Sequence, residues 1–121
     1  EYVNKTEPVK LITYTEINNG ESDVSIEAVI TDNGEEKTIT GSGNGVIDAF
    51  CHAMVKYMGI DFEIVNYSEH SMEYGTKSRA ISYIQLSTSK GGVFYGAGIS
   101  SNITKSSLRA VVSAANKILT K

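Results

Sequence analysis

Cys51 and His52 are the first neighbours in the chain whose side chains could act as nucleophile and base. Adjacent residues on a helix point about 100° apart. Cys51 also falls on an apolar stripe, so it reads as a buried structural cysteine. A zinc site drawn from Cys51, His52 and His70 lacks the close paired spacing that zinc ligands share. Glu69 and His70 lie within a strand pattern, where neighbours face opposite sides; they form no dyad, and a structural role or a regulatory contact both remain open. The richest stretch is Gly41-Ser42-Gly43-Asn44-Gly45. It has the glycines of a phosphate loop without the lysine and hydroxyl that such a loop needs. Two readings stay open for it: tight strand-to-helix geometry, or a turn whose N–H groups hold a small carboxylate.

A second glycine device, Gly96-Ala97-Gly98-Ile99-Ser100-Ser101-Asn102, begins 55 residues after the first. Each is followed by a helical pattern. Val46–Met58 carries Ile47, Phe50, Cys51, Met54, Val55 and Met58 on one stripe, with Asn44 or Gly45 as cap and Gly59 as stop. From Thr104, the expected cap, to Leu119 a second stripe holds Leu108, Val111, Val112, Ala115, Ile118 and Leu119. Three strand patterns precede each helix. Val9–Asn18, Ser22–Thr31 and Glu36–Ser42 come first, with Val24, Ile26, Ala28 and Ile30 on one face and Asp32-Asn33-Gly34 as a hairpin signal. Ile60–Met72, Ser78–Ser87 and Val93–Ile99 follow, separated by a loop at Glu73–Lys77 and a turn at Lys90-Gly91-Gly92. The alternation of Ile60–Met72 slips between Ile64 and Tyr67, which predicts a bend. Tyr67, Tyr74, Tyr83 and Tyr95 fit a half-buried sheet better than a pocket lining. Arg79 and Arg109 read as surface ion-pair residues.

The order βββα then βββα predicts a two-layer α+β fold: two pseudo-symmetric units, about 9–59 and 60–119, each an antiparallel sheet covered by a helix. Two helix starts held near each other would present unpaired N–H groups and positive dipole ends to an anion. Glu1–Pro8, polar and holding the chain's one proline, reads as a linker remnant, so a fragment of a longer protein is expected. The 121 residues make one ordinary domain. A net charge of −3 with no basic stripe gives no reason to expect nucleic acid or an anionic membrane as partner. No apolar run approaches the ~20 residues of a membrane span. One cysteine forms no internal disulfide, so a reducing cytoplasm is the expected setting.

Taken together, Gly41-Ser42-Gly43-Asn44-Gly45, Asn66-Tyr67-Ser68-Glu69-His70-Ser71-Met72, and Gly96-Ala97-Gly98-Ile99 with Thr104–Asn116 carry a specific likeness. The chain resembles, over nearly all of Val9–Leu119, the C-terminal regulatory domain of 2-isopropylmalate synthase. Citramalate synthase, a close relative, has the same domain type. The resemblance implies a sensor of L-leucine that inhibits a catalytic (β/α) barrel absent from this chain. That barrel joins acetyl-CoA to 2-oxoisovalerate using a divalent metal. No cofactor is implied for the fragment itself. A homodimer is implied, with the effector near the pseudo-twofold and the dimer interface.

The resemblance places the effector beside Gly43, Gly45 and Ile47, beside Ile64, Tyr67 and Ala80, and beside Ile99 and Ser101. Main-chain donors at the helix starts would take the carboxylate, and carbonyls or Asp48 the ammonium. Ile47, Ile64, Ala80 and Ile99 would surround an aliphatic side chain. Asp48, Ser71 and Ser78 stand where the family commonly has small apolar residues, and Val46 where it often has proline. A more polar pocket edge leaves leucine and isoleucine both open as effector. A dimerisation module without a ligand is the reading from another class.

Overall fold

The computed structural model describes residues 8–18, 20, 23–74 and 77–119, with backbone only at 72–74 and 77–78. Most of the expected linker therefore lies outside the described residues. The elements run β1 (Val9–Asn18), β2 (Val24–Asp32), β3 (Glu35–Gly43), α1 (Val46–Met58), β4 (Phe62–Tyr74), β5 (Lys77–Thr88), β6 (Val93–Ser100) and α2 (Ile103–Leu119). They form two antiparallel three-stranded meanders, β1-β2-β3 and β4-β5-β6. The chain divides into two compact units, with Pro8–Asp61 as one and the described residues from Phe62 onward in the other. The α+β class and the doubled βββα order match the sequence expectation.

In the first unit, β2 supplies Val24, Ile26, Ala28 and Ile30 to the core, and β3 supplies Ile39. This is the face read from the alternation. From α1 come Ala49, Phe50, Cys51, Ala53 and Met54. Ile47, Val55 and Met58 of the expected stripe are only half-buried. The reason lies in β3. A Cβ added at Gly41 would stand 2.5 Å from the Ala49 carbonyl oxygen and 2.6 Å from the Ala53 amide nitrogen. The helix therefore seats its alanine ridge on bare strand backbone, and the larger side chains splay to either side. Asn33 and Gly34 take φ of 55° and 88° in the β2–β3 connection, the conformation of a two-residue hairpin turn. Tyr57 Oη donates to Asp32 Oδ2 at 2.5 Å and ties the end of α1 to that turn.

The second unit repeats the device. A Cβ on Gly96 would run into the Ala110 carbonyl and the Ala114 amide; on Gly98 it would meet the Ser106 carbonyl and stand 2.6 Å from the Ala110 amide. Buried apolar residues are Phe62, Ala80, Ile84 and Leu86 from the sheet, and Leu108, Ala110, Val111, Val112, Ala114 and Ala115 from α2. Ile118 is half-buried and Leu119 exposed, so the stripe ends one turn earlier than its periodicity implied. The expected bend is present: the β4–β5 register shifts between Ile64 and Asn66. An equivalent shift between Leu11 and Thr13 in β1–β2 has no counterpart in the sequence reading.

The β4–β5 connection and the start of α2 differ from expectation, whereas the α1 cap is one of the two residues expected. The ladder continues through Glu73↔Ser78 to Tyr74↔Lys77, because backbone pairing held in register by a partner strand needs no apolar alternation. The start of α2 is capped by Asn102, whose Oδ1 accepts the Lys105 N–H at 3.0 Å, and Thr104 lies inside the helix. At α1 the cap is Gly45, in extended backbone and with no side-chain hydrogen bond.

Candidate functional site

Of the residues expected to contact an effector, Gly43, Gly45, Ile47 and Asp48 belong to the first unit. Gly43 ends β3, opposite Val24. A Cβ there would collide with the Asp48 carboxylate, a mobile side-chain end, and approach the Ala49 amide to 3.0 Å, so the position is tight. Nothing lies within 4 Å of a Cβ added at Gly45. Packing does not account for that glycine, which opens α1 with no side chain to offer the first-turn amides. Ile47 is half-buried in that turn. Asp48 Oδ2 accepts the Asn44 N–H at 3.0 Å, and its Oδ1 lies 3.6 Å from His52 Nε2. The other ring nitrogen, His52 Nδ1, is 2.5 Å from the Ser42 carbonyl oxygen. Asp48 and His52 thus brace the junction between β3 and α1 from the helix side.

In the second unit, register sorts the remaining candidates by face. Ser71 pairs with Ala80, Tyr67 with Ile84 and Ile64 with Leu86. Ile64, Tyr67, Ser71 and Ala80 therefore share the helix-covered face of the sheet. Ile99 pairs with Ile81 and lies on the opposite face, while Ser101 is exposed between β6 and α2. Arg109 donates to the Ile99 carbonyl at 2.7 Å, a backbone contact rather than the ion pair its type suggested. Ser78 pairs with Glu73 through its backbone; its side chain lies outside the described residues.

A buried hydroxyl cluster that the sequence reading missed stands beneath Tyr67. Ser82 Oγ lies 2.7 Å from Ser106 Oγ and 3.1 Å from Ser107 Oγ, and all three serines are fully buried. Ser107 Oγ is 2.8 Å from the Tyr67 phenol oxygen, which also donates to Glu69 Oε1 at 2.9 Å. Burial is the largest cause raising the Tyr67 pKa; the Ser107 hydrogen bond lowers it and the Glu69 carboxylate raises it. The clue in the sequence was Ser82 itself. It keeps step with Ala80, Ile84 and Leu86, so a polar side chain occupies a core position and requires partners.

The tyrosines divide between faces. Tyr83 and Tyr95 are 46% and 59% exposed on the sheet's outer side, where His70 meets Tyr83 edge-on at 6.1 Å. With Asn66, Ser68 and Gln85 they line a cavity of about 240 Å³. Tyr67 is the one effector candidate that borders it. Tyr74 has its side chain outside the described residues. Cys51 is buried, and burial first, then Asp48, pushes its thiol up to about 12. It is therefore an inert core thiol at neutral pH. Among the described residues no group of three or more His, Cys, Asp and Glu side chains gathers to hold a metal. No helix among them is long and apolar enough to cross a membrane.

Two βββα units, each with a helix start reached through glycines, define a doubled α+β class of domain. Comparison with known families agrees. Residues 1–119 match the model described as the LeuA allosteric (dimerisation) domain, and the chain belongs to that family. It is 49% identical over 98% of its length to a 2-isopropylmalate synthase of Acetoanaerobium sticklandii, covering 21% of that protein. The match to 2-isopropylmalate synthase of Rhizobium johnstonii is 51% identical over 78% of the chain and 17% of the relative. With Clostridium acetobutylicum 2-isopropylmalate synthase the figures are 40%, 97% and 22%. The chain thus spans about a fifth of the length of these curated relatives.

Proposed function

We propose that this chain is the effector-sensing domain of a 2-isopropylmalate synthase, binding L-leucine to inhibit the first committed step of leucine biosynthesis. The parent enzyme would condense acetyl-CoA with 2-oxoisovalerate in a metal-dependent barrel outside this chain. The domain would act as a homodimer joined to that barrel, in the cytoplasm. Family membership across the chain supports this reading. The observation that carries the ligand is Gly45, a glycine that packing does not require, at a helix start that no side chain caps.

In this reading, first-turn amides beside Gly43 and Gly45 receive the effector's carboxylate, which the helix dipole also favours. Main-chain carbonyls or Asp48 take the ammonium. Ile47 is the aliphatic candidate of the first unit; in the second unit the candidates are Ile64, Tyr67, Ser71 and Ala80 on one face of the sheet, Ile99 on the other and Ser101 beyond β6. Inhibition then amounts to a coupling free energy of about 1–3 kcal/mol between this site and the barrel. By reciprocity, substrates that favour the active barrel weaken leucine by the same factor.

A thermal-shift panel of L-leucine, L-isoleucine and L-valine tests the ligand. At about 100 times its Kd the effector stabilises by about 2.7 kcal/mol, roughly 10 °C for a domain of this size. A shift with isoleucine alone would assign the chain to the citramalate branch. No shift with any of the three would leave a dimerisation module.

A further inference from the structure

We propose that Glu69 is a positioning residue for the effector site: its carboxylate pins the Tyr67 phenol against the second turn of α2 and so fixes the aromatic wall that the effector meets. The inference rests on the reading of Tyr67 as an effector contact. A phenol carries one proton. Tyr67 donates it to Glu69 Oε1, so the same oxygen can only accept from Ser107. Ser107 then has no proton left for the Ile103 carbonyl 3.1 Å away, and Ser106 donates to that carbonyl at 2.8 Å instead. Ser82 donates onward to Ser106 or Ser107. One carboxylate on β4 thereby sets the direction of a hydroxyl chain that ends in the fully buried junction of β5 and α2. Without it, the Tyr67 proton is free to turn to Ser107, and the ring loses its second anchor.

The two units differ at this point, which argues for a dedicated role. Tyr14 and Glu16 follow the register shift of β1 as Tyr67 and Glu69 follow that of β4. Ile26 stands where the second sheet has Ser82, paired with Gly41 as Ser82 is paired with Gly98. In the same register the contacts of Gly41 with Ala49 and Ala53 match those of Gly98 with Ser106 and Ala110, so Ser106 and Ser107 stand where the first unit has Ala49 and Phe50. The Tyr–Glu pair occurs twice, but only the second is wired to a helix.

Calorimetric titration of L-leucine into this chain and its variants tests the proposal, beside a ¹³C-tyrosine NMR titration of Tyr67. Glu69→Ala should weaken leucine about 5- to 10-fold. Glu69→Gln, whose amide oxygen still accepts the phenol proton, should stay within about twofold. In a Tyr67→Phe background Glu69→Ala should change nothing further. Either Glu69 variant should lower the Tyr67 pKa, a readout that a merely structural role would not move. Wild-type affinity in Glu69→Ala, or an undiminished loss in the Tyr67→Phe background, overturns the positioning role. If the wild-type chain binds no leucine, the effector reading fails and Glu69's functional role with it. The Tyr67 titration then shows separately whether the tether exists.

Discussion

Gly96→Ala is the sharpest test of how the second unit is packed. The new methyl would overlap the Ala110 carbonyl and the Ala114 amide and stand 2.9 Å from Ala114 Cβ. A carbon meets a carbonyl oxygen comfortably at about 3.3–3.6 Å, so α2 must retreat by about 1 Å. Backbone cannot swing aside as a flexible side chain can. A radial gap of about 0.5–1 Å forfeits a quarter to a half of each contact it opens, and Leu108 and Val111 are fully buried across that seam. The cost should reach the upper end of overpacking penalties, about 3 kcal/mol. At an m value of about 1–3 kcal/mol/M, the urea midpoint falls by about 1–3 M. Gly41→Ala should behave alike in the first unit, where the clash is again with backbone. Gly45→Ala is the internal control: its methyl meets nothing within 4 Å, and the cost should stay under about 1 kcal/mol, the preference of a cap position for glycine over alanine. Gly96→Ala within 0.5 kcal/mol of wild type, as an order-of-magnitude threshold, would refute the argument that these strands carry glycine for helix packing.

Asn102→Ala should cost about 1 kcal/mol and Thr104→Ala less than about 0.5, measured by urea unfolding, because Asn102 holds the cap. Tyr57→Phe should cost about 0.5–1.5 kcal/mol through the lost bond to Asp32. The same bond, first among the causes, pushes the Tyr57 phenol up to about 12 from 10.0. In that interval the unfolded chain releases a proton that the native one keeps, so stability present below pH 10 is lost as pH rises toward 12. Unfolding followed across that range should show a shallower decline in Tyr57→Phe. Cys51 should react with a thiol reagent at pH 8 at least about 100-fold more slowly in the native chain than in urea, since burial holds its thiol near 12.

Much of the fold was legible because its signals are local. Alternation at Val24–Ile30, the Asn33-Gly34 turn and the slipped phase at Ile64–Tyr67 each carry their own geometry in a few residues. The site was less legible because its determinants are tertiary. Gly41, Gly43 and Gly45 look alike in sequence, yet helix backbone or the Asp48 carboxylate crowds the first two and nothing crowds the third. Which glycines are crowded and which is open depends on where α1 lies. The serines under Tyr67 come from β5 and α2, 24 and 25 residues apart, so no local pattern joins them. In sequence Asn102 and Thr104 both offer a capping side chain, and the residue at which the helix starts decides between them.

Isothermal titration of L-leucine into the wild-type chain and into Gly45→Ala tests the central claim most directly. The account predicts saturable binding by the wild type and a marked loss in Gly45→Ala at nearly unchanged urea midpoint. Absence of heat with leucine, or unaltered affinity in Gly45→Ala, would contradict it.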